Sequence, residues 1–202
     1  MKNVAILLSG RGSNFMSLSD AVEAGEIPAR IVLVFSNKND AAGLAEARRR
    51  GYATASIVPQ KGQSREDYDR LVVDELEKAQ TDIICLAGYM RIVSAYFVSR
   101  FPQRILNIHP SLLPAFPGLR AQRQALEWGA KVSGCTVHFV DERLDHGPAI
   151  LQQAVPVKED DDEDTLSARI LIEEHRIYPQ ALQLLCQDRL QIRGRRVHIA
   201  PE

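Results

Sequence analysis

Apolar residues in the first half of the chain come in short unbroken runs, separated by segments of mixed polarity. Val4 to Leu8, Ile31 to Phe35 and Ile83 to Leu86 are continuous apolar runs, the pattern of strands buried on both faces. Ala53 to Val58 predicts a weaker strand. Between these runs, Ser13 to Ala24, Ala41 to Arg50 and Arg65 to Lys78 have helical composition. Alternating strands and helices predict an α/β fold with right-handed crossovers and a mostly parallel sheet. Ligands of such sheets bind beyond the carboxyl ends of the strands, so the loops after strands are where chemistry is sought.

The second half changes character. Ile105 to His109 predicts a strand that runs into Pro110-Ser111-Leu112-Leu113-Pro114, where the prolines forbid helix and force an extended loop. Ala121 to Trp128 resumes as helix. Gly134 to Val140 and Ala149 to Val157 predict strands joined by the loop Asp141 to Pro148. Glu159 to Asp164 is acidic and predicts a solvated loop leading into a helix, with Asp164 or Thr165 near the cap. Thr165 to Cys186 is the longest helical stretch, with an interruption expected near Pro179. The tail, Arg189 to His198, predicts a short hairpin or extension turning at Gly194.

Composition narrows the class. A chain of 202 residues suits one well-buried core, or at most two small ones, and 45% hydrophobic with 25% charged residues is ordinary for a soluble globular protein. A formal net charge of -1 gives no global attraction to nucleic acid or to an anionic membrane, so any phosphate binding must be local. The apolar run at Val4 is too short for a signal-peptide core and ends in Ser9-Gly10-Arg11-Gly12, which favours a buried first strand. No apolar stretch approaches bilayer length. Cys85, Cys135 and Cys186 form no close pair, which argues against a disulfide framework or a zinc knuckle and fits a reducing, cytoplasmic setting.

Candidate chemistry gathers at strand ends. Ser9-Gly10-Arg11-Gly12-Ser13-Asn14 follows a predicted strand and opens a predicted helix, where glycines admit close approach and helix-start amides suit an anion. It matches neither a Walker loop nor the dinucleotide fingerprint. A phosphate cradle and a plain glycine turn capped by Ser13 both remain open from spacing alone. Asn107 and His109 fall on one face of a strand end, a pairing of carboxamide and imidazole that suits donation to a developing oxyanion. Each also has an ordinary structural reading. Asp145, before His146 and Gly147, reads either as turn chemistry or as a carboxylate that holds and charges an imidazole. Sequence alone does not bring it to His109. His138, alternating with Thr136, reads as a structural partner of the substrate loop rather than a catalyst. Beside Glu174, His175 lacks a second ligand one helical turn on, where Pro179 stands, so no metal site is expected.

The string Asn107-Ile108-His109-Pro110-Ser111-Leu112-Leu113-Pro114, then Pro117-Gly118, then Asp145 with Gly147, resembles the formyltransferases that use 10-formyltetrahydrofolate. Ser9 to Asn14 with Phe35-Ser36-Asn37, Leu86 to Ile92, Gly134 to Val140 and Glu173 to Pro179 resemble the branch of that family acting on phosphoribosylglycinamide. The likeness runs from near Val4 to about Gln187. It implies the formyltransferase fold: a Rossmann-like, mostly parallel sheet with helices on both faces. The whole of 1-202 would be one formyltransferase domain, with a phosphate-binding half over about 1-100, a catalytic and folate-binding half over about 101-187, and a C-terminal extension over 188-202.

By the same resemblance, Asn107, His109 and Asp145 match the catalytic trio. The backbone of Gly12, Ser13 and Asn14 would hold the substrate phosphate, and Glu174 would contact the ribose or glycinamide part. Met90, Arg91, Ile92 and Val93 would line the folate cleft with Arg65 nearby. Asp141, Glu142, Arg143, Leu144 and Asp145, together with Asn107, would line it too. Leu171 departs from the polar residue of many bacterial members, and Arg120 and Gln122 stand where some members have histidines. The implied reaction passes the formyl group of 10-formyltetrahydrofolate, as co-substrate, to the glycinamide amine in purine synthesis, without metal. The implied partners are these small molecules, with no nucleic acid and no membrane; the oligomeric state stays open, a homodimer included. A formyl-folate hydrolase is expected to add an N-terminal regulatory domain, and a transferase acting on charged tRNA a basic C-terminal one. A transferase acting on a sugar nucleotide is a third relative of this kind. A catalytically silent nucleotide-binding domain is the rival of another class.

Overall fold

The computed structural model describes residues 1–201, which divide into two compact units, the first spanning Met1–Leu106 and the second beginning at Asn107. Seven strands share one mostly parallel sheet, in the order β3-β2-β1-β4-β5-β6-β7.

In the first unit, β1 (Lys2–Leu8) pairs in parallel with β2 (Ala29–Ser36) on one side and with β4 (Ile83–Leu86) on the other; β3 (Thr54–Ser56) adds in parallel to β2. Val4 to Leu8 are wholly buried, which explains their unbroken apolar run. Each large side chain among them contributes roughly 1.5–3 kcal/mol by leaving water. Three helices, α1 (Ser13–Glu23), α2 (Ala42–Arg49) and α3 (Arg65–Lys78), make the crossovers. Ser64 caps α3 by accepting from the Asp67 amide at 3.0 Å, and Glu66 and Asp67 suit its positive end. A fourth helix, α4 (Ala95–Arg100), was absent from the sequence pattern. It is too short to show a helical period, and Ser94 caps it by accepting from the Phe97 amide at 3.3 Å.

The strand β5 (Ile105–His109) carries the chain from the first unit into the second and leads to α5 (Ala121–Trp128), then β6 (Val132–Phe139) and β7 (Ala149–Pro156) pair antiparallel around the loop that carries Asp145. The helix α6 (Glu163–Cys186) begins earlier than its composition suggested and continues through Pro179. Its cap is Asp162 rather than Asp164 or Thr165: Thr165 N donates to Asp162 Oδ1 at 2.8 Å and Asp162 N to Thr165 Oγ1 at 2.9 Å. Asp161, beside the cap, is bridged by both terminal nitrogens of Arg169 at 2.6 and 2.7 Å, which holds its carboxyl well below the usual range. The acidic run is therefore helix-start architecture. Pro179 removes one intrahelical donor, yet the buried face on either side of it, with Ile177, Tyr178, Ala181 and Leu182, keeps the axis running. After α6 comes a hairpin of β8 (Leu190–Arg193) and β9 (Arg196–Ile199) that turns at Gly194, as the tail suggested.

Candidate active site

Within the second unit, β5, β6 and the loop after β6 bring four side chains together. Asn107 and His109 leave β5 two residues apart, and His138 comes from β6. Asp145 comes from the loop, in a left-handed conformation at φ 49°. Its side chain is 7% exposed and that of His109 6%. Asp145 Oδ2 accepts the Gly118 amide at 2.8 Å and faces His109 Nδ1 at 3.4 Å. Asp145 Oδ1 lies 3.8 Å from His138 Nε2, beyond hydrogen-bond length. The imidazole–carboxylate pairing that sequence alone left unmade is present.

The histidines differ in role. His109 Nε2 donates to the Phe116 carbonyl at 2.9 Å, because a carbonyl only accepts. By the same logic His138 Nδ1 donates to the Phe139 carbonyl at 2.8 Å, which leaves its Nε2 as an acceptor for Asn107 Nδ2 at 3.2 Å. Burial lowers the His138 pKa from its ordinary value, against the opposing pull of the Phe139 carbonyl and Asp145, so the neutral form is favoured. The expectation that His138 serves the substrate loop needs correcting. Its alternating neighbour Thr136 tethers the loop after β5, donating to Ser111 O at 2.7 Å and accepting Leu113 N at 3.1 Å; His138 instead orients Asn107. Strand alternation gave the shared face, but not which neighbour each residue meets.

The loop carrying Asp145 is tightly built. Asp141 Oδ2 accepts from His146 Nδ1 at 2.8 Å and Oδ1 from the Arg143 amide at 2.9 Å. Burial raises the Asp141 pKa, but these bonds outweigh it and hold the carboxyl below its ordinary value. Gly147 is needed for close approach, since a Cβ there would lie 1.8 Å from the Phe139 carbonyl oxygen. Glu142, Arg143 and Leu144 are exposed on the same loop. Glu174 is buried on α6; burial first, then the negative charge of Glu174 and Glu173, pushes the Cys135 thiol up to about 12.

In the first unit, Gly12 caps α1 at φ 80° and no side chain caps that helix, so Ser13 is its first residue rather than its cap. A Cβ on Gly12 would lie 2.8 Å from the Gly43 Cα, so the missing side chain serves packing here. Asn14 is buried in the first turn. Ser9 ties the loops after β1, β2 and β4: its hydroxyl donates to Asn37 Oδ1 at 2.5 Å and accepts the Met90 amide at 2.8 Å. Met90 and Ile92 are exposed, Val93 is buried, and the Arg91 guanidinium lies 4.1 Å from the Tyr68 ring centre. Arg65 is exposed at the start of α3. Below the same segment, Asp69 accepts the Ser94 amide at 2.5 Å, and burial raises its pKa against that bond. Among the described residues no helix is long and apolar enough to cross a membrane.

The formyl transferase family model matches residues 2–182, and the chain belongs to that family: it is an enzyme of formyl transfer. It is 46% identical over 190 residues to the phosphoribosylglycinamide formyltransferase of Escherichia coli (strain K12), spanning 94% of this chain and 90% of that protein. It is similar to a crystal structure of glycinamide ribonucleotide transformylase 1 from Symbiobacterium toebii, with a TM-score of 0.97, 51% identity and coverage of 100% of this chain and 95% of that one. It is also 48% identical over 189 residues to the trifunctional purine biosynthetic protein adenosine-3 of Homo sapiens, of which it spans 19%.

Proposed function

We propose that this chain transfers the formyl group of 10-formyltetrahydrofolate to the amine of phosphoribosylglycinamide, a step of purine synthesis. The observation that supports the reading most strongly is the convergence of amide, imidazole and carboxylate at Asn107, His109 and Asp145. Attack by a neutral amine on a formyl carbon puts negative charge on the formyl oxygen. The second N–H of the Asn107 amide, whose first is directed at His138, donates to that oxygen. His109 Nε2–H joins it by exchanging the Phe116 carbonyl for the substrate. Asp145 holds the far side of the imidazole and relays the amine proton, through water, towards the leaving folate nitrogen.

The remaining assignments follow the family. Backbone amides at Gly12, Ser13 and Asn14 hold the phosphate, since the first amides of a helix have no partner within it. Glu174 contacts the ribose or glycinamide part. Arg65 and the segment Met90 to Val93 serve the folate, as do Asp141 to Asp145. The halves divide near 100, and the tail from 188 is an extension. A cytoplasmic protein with small-molecule partners belongs to the same reading.

Incubation with 10-formyltetrahydrofolate, with and without phosphoribosylglycinamide, tests it. Tetrahydrofolate release that requires the amine, with an N-formylated product by mass spectrometry, is the expected result. Equal release without the amine would make the chain a hydrolase, and no release in either arm would make it a silent binding domain.

A further inference from the structure

We propose that Arg195, at the turn of the C-terminal hairpin, is a positioning residue for Asp145, clamping the loop Asp141 to Pro148 through His146; the catalytic part of this inference rests on the proposed formyl transfer. Arg195 Nη2 donates to the His146 carbonyl at 2.6 Å. Its Nη1 lies 3.3 and 3.2 Å from the two ring nitrogens of His146. His146 Nδ1 donates to Asp141, which leaves Nε2 of the neutral ring as the acceptor for Arg195 Nη1, so the guanidinium meets both the ring and the backbone of His146.

The grip falls where the loop has least freedom. Asp145 is the residue before His146 and sits at φ 49°, a conformation a non-glycine residue keeps only when its surroundings hold it. Gly147 follows, pressed against the Phe139 carbonyl. Residues 145 to 147 are thus held by the close approach of Gly147 to the Phe139 carbonyl and by Arg195 from the hairpin. The hairpin is itself anchored: Arg189 N donates to Leu184 O at 3.1 Å, and Ala200 N donates to Arg189 O at 2.8 Å, closing its base at the end of α6. Arg193, across the turn, reaches Gln191 instead and serves as the control.

The test uses the full chain as Arg195→Ala, Arg195→Lys and Arg193→Ala. Loss of one charge-assisted hydrogen bond from a partly exposed site predicts a kcat about fivefold to tenfold lower for Arg195→Ala. KM for phosphoribosylglycinamide should stay within about twofold and the melting midpoint should hold, because this bond orders a loop rather than the core. Arg195→Lys, which keeps a charged donor to the His146 carbonyl, should recover part of the loss, and Arg193→Ala should match the parent. Hydrogen exchange of the peptide covering Asp141 to Pro148 should quicken in Arg195→Ala. An unchanged kcat, an equal loss in Arg193→Ala, or unchanged exchange of that peptide would each overturn the clamp. If the parent transfers no formyl group, the functional reading fails on its own, and the exchange measurement still decides whether Arg195 holds the loop.

Discussion

Asn107 Nδ2 lies 3.2 Å from His138 Nε2, and the tautomer fixed by the Phe139 carbonyl makes that nitrogen an acceptor. His138 therefore decides which way the Asn107 carboxamide faces. His138→Phe keeps a ring in a site that is 2% exposed but removes the acceptor. We expect kcat to fall about tenfold or more, approaching the loss of an oxyanion donor, with a smaller change in either KM. Steady-state kinetics of folded variant and parent check this. A variant with parental kcat would leave Asn107 oriented by other means.

The same burial has a pH consequence. The His138 pKa in the fold lies below its ordinary 6.5, so on acidification the unfolded chain takes up a proton first. His138 then contributes stability that is present above about pH 6.5 and is lost as pH falls towards the folded value, at up to ~1.4 kcal/mol per pH unit. Urea unfolding of the parent from pH 7.5 downwards should show this steepening below about pH 6.5, and His138→Phe should lack it. Parallel curves for the two proteins would refute the assignment.

Gly12 serves the fold as well as any ligand. With φ at 80° and the Gly43 Cα 2.8 Å from a would-be Cβ, Gly12→Ala should destabilise the protein by roughly 1–3 kcal/mol. The urea midpoint reads this directly. An unchanged midpoint would show that the loop relaxes around a methyl group. Loss of phosphate binding in larger substitutions at Gly12 therefore has to be separated from unfolding.

The sequence-based expectation and the structure agree best where one physical rule acts alone. The runs at Ile83 and Ile105 and the helix Arg65–Lys78 carry their bounds in the pattern, because uniform burial or clear composition decides them. The start of α6 was misplaced because Asp162 and Thr165 bond reciprocally, a detail of pairing rather than of polarity. Pro179 was read as a break because its local cost is visible in the sequence, whereas the buried residues flanking it count only once packed. For the candidate site, the shared face of Asn107 and His109 was legible from strand alternation, while their proposed role came from the family resemblance. Asp145 needed family resemblance, since no local rule joins a distant loop to a strand end. The role of His138 and the Arg195 contact were legible from neither, because both depend on register and on how a terminal hairpin lies.

The most direct test of the central claim is the kinetics of Asp145→Asn. The amide keeps an acceptor for the Gly118 amide and the shape of the side chain, but removes the charge that faces His109 Nδ1 at 3.4 Å. If Asp145 acts with Asn107 and His109 on the reacting carbon, kcat should fall on the order of 100-fold or more, while the Kd values for both substrates, measured by calorimetry, stay within about threefold. That split marks an interaction made mainly in the transition state. A variant that keeps parental kcat, or that loses only substrate affinity, would contradict the account.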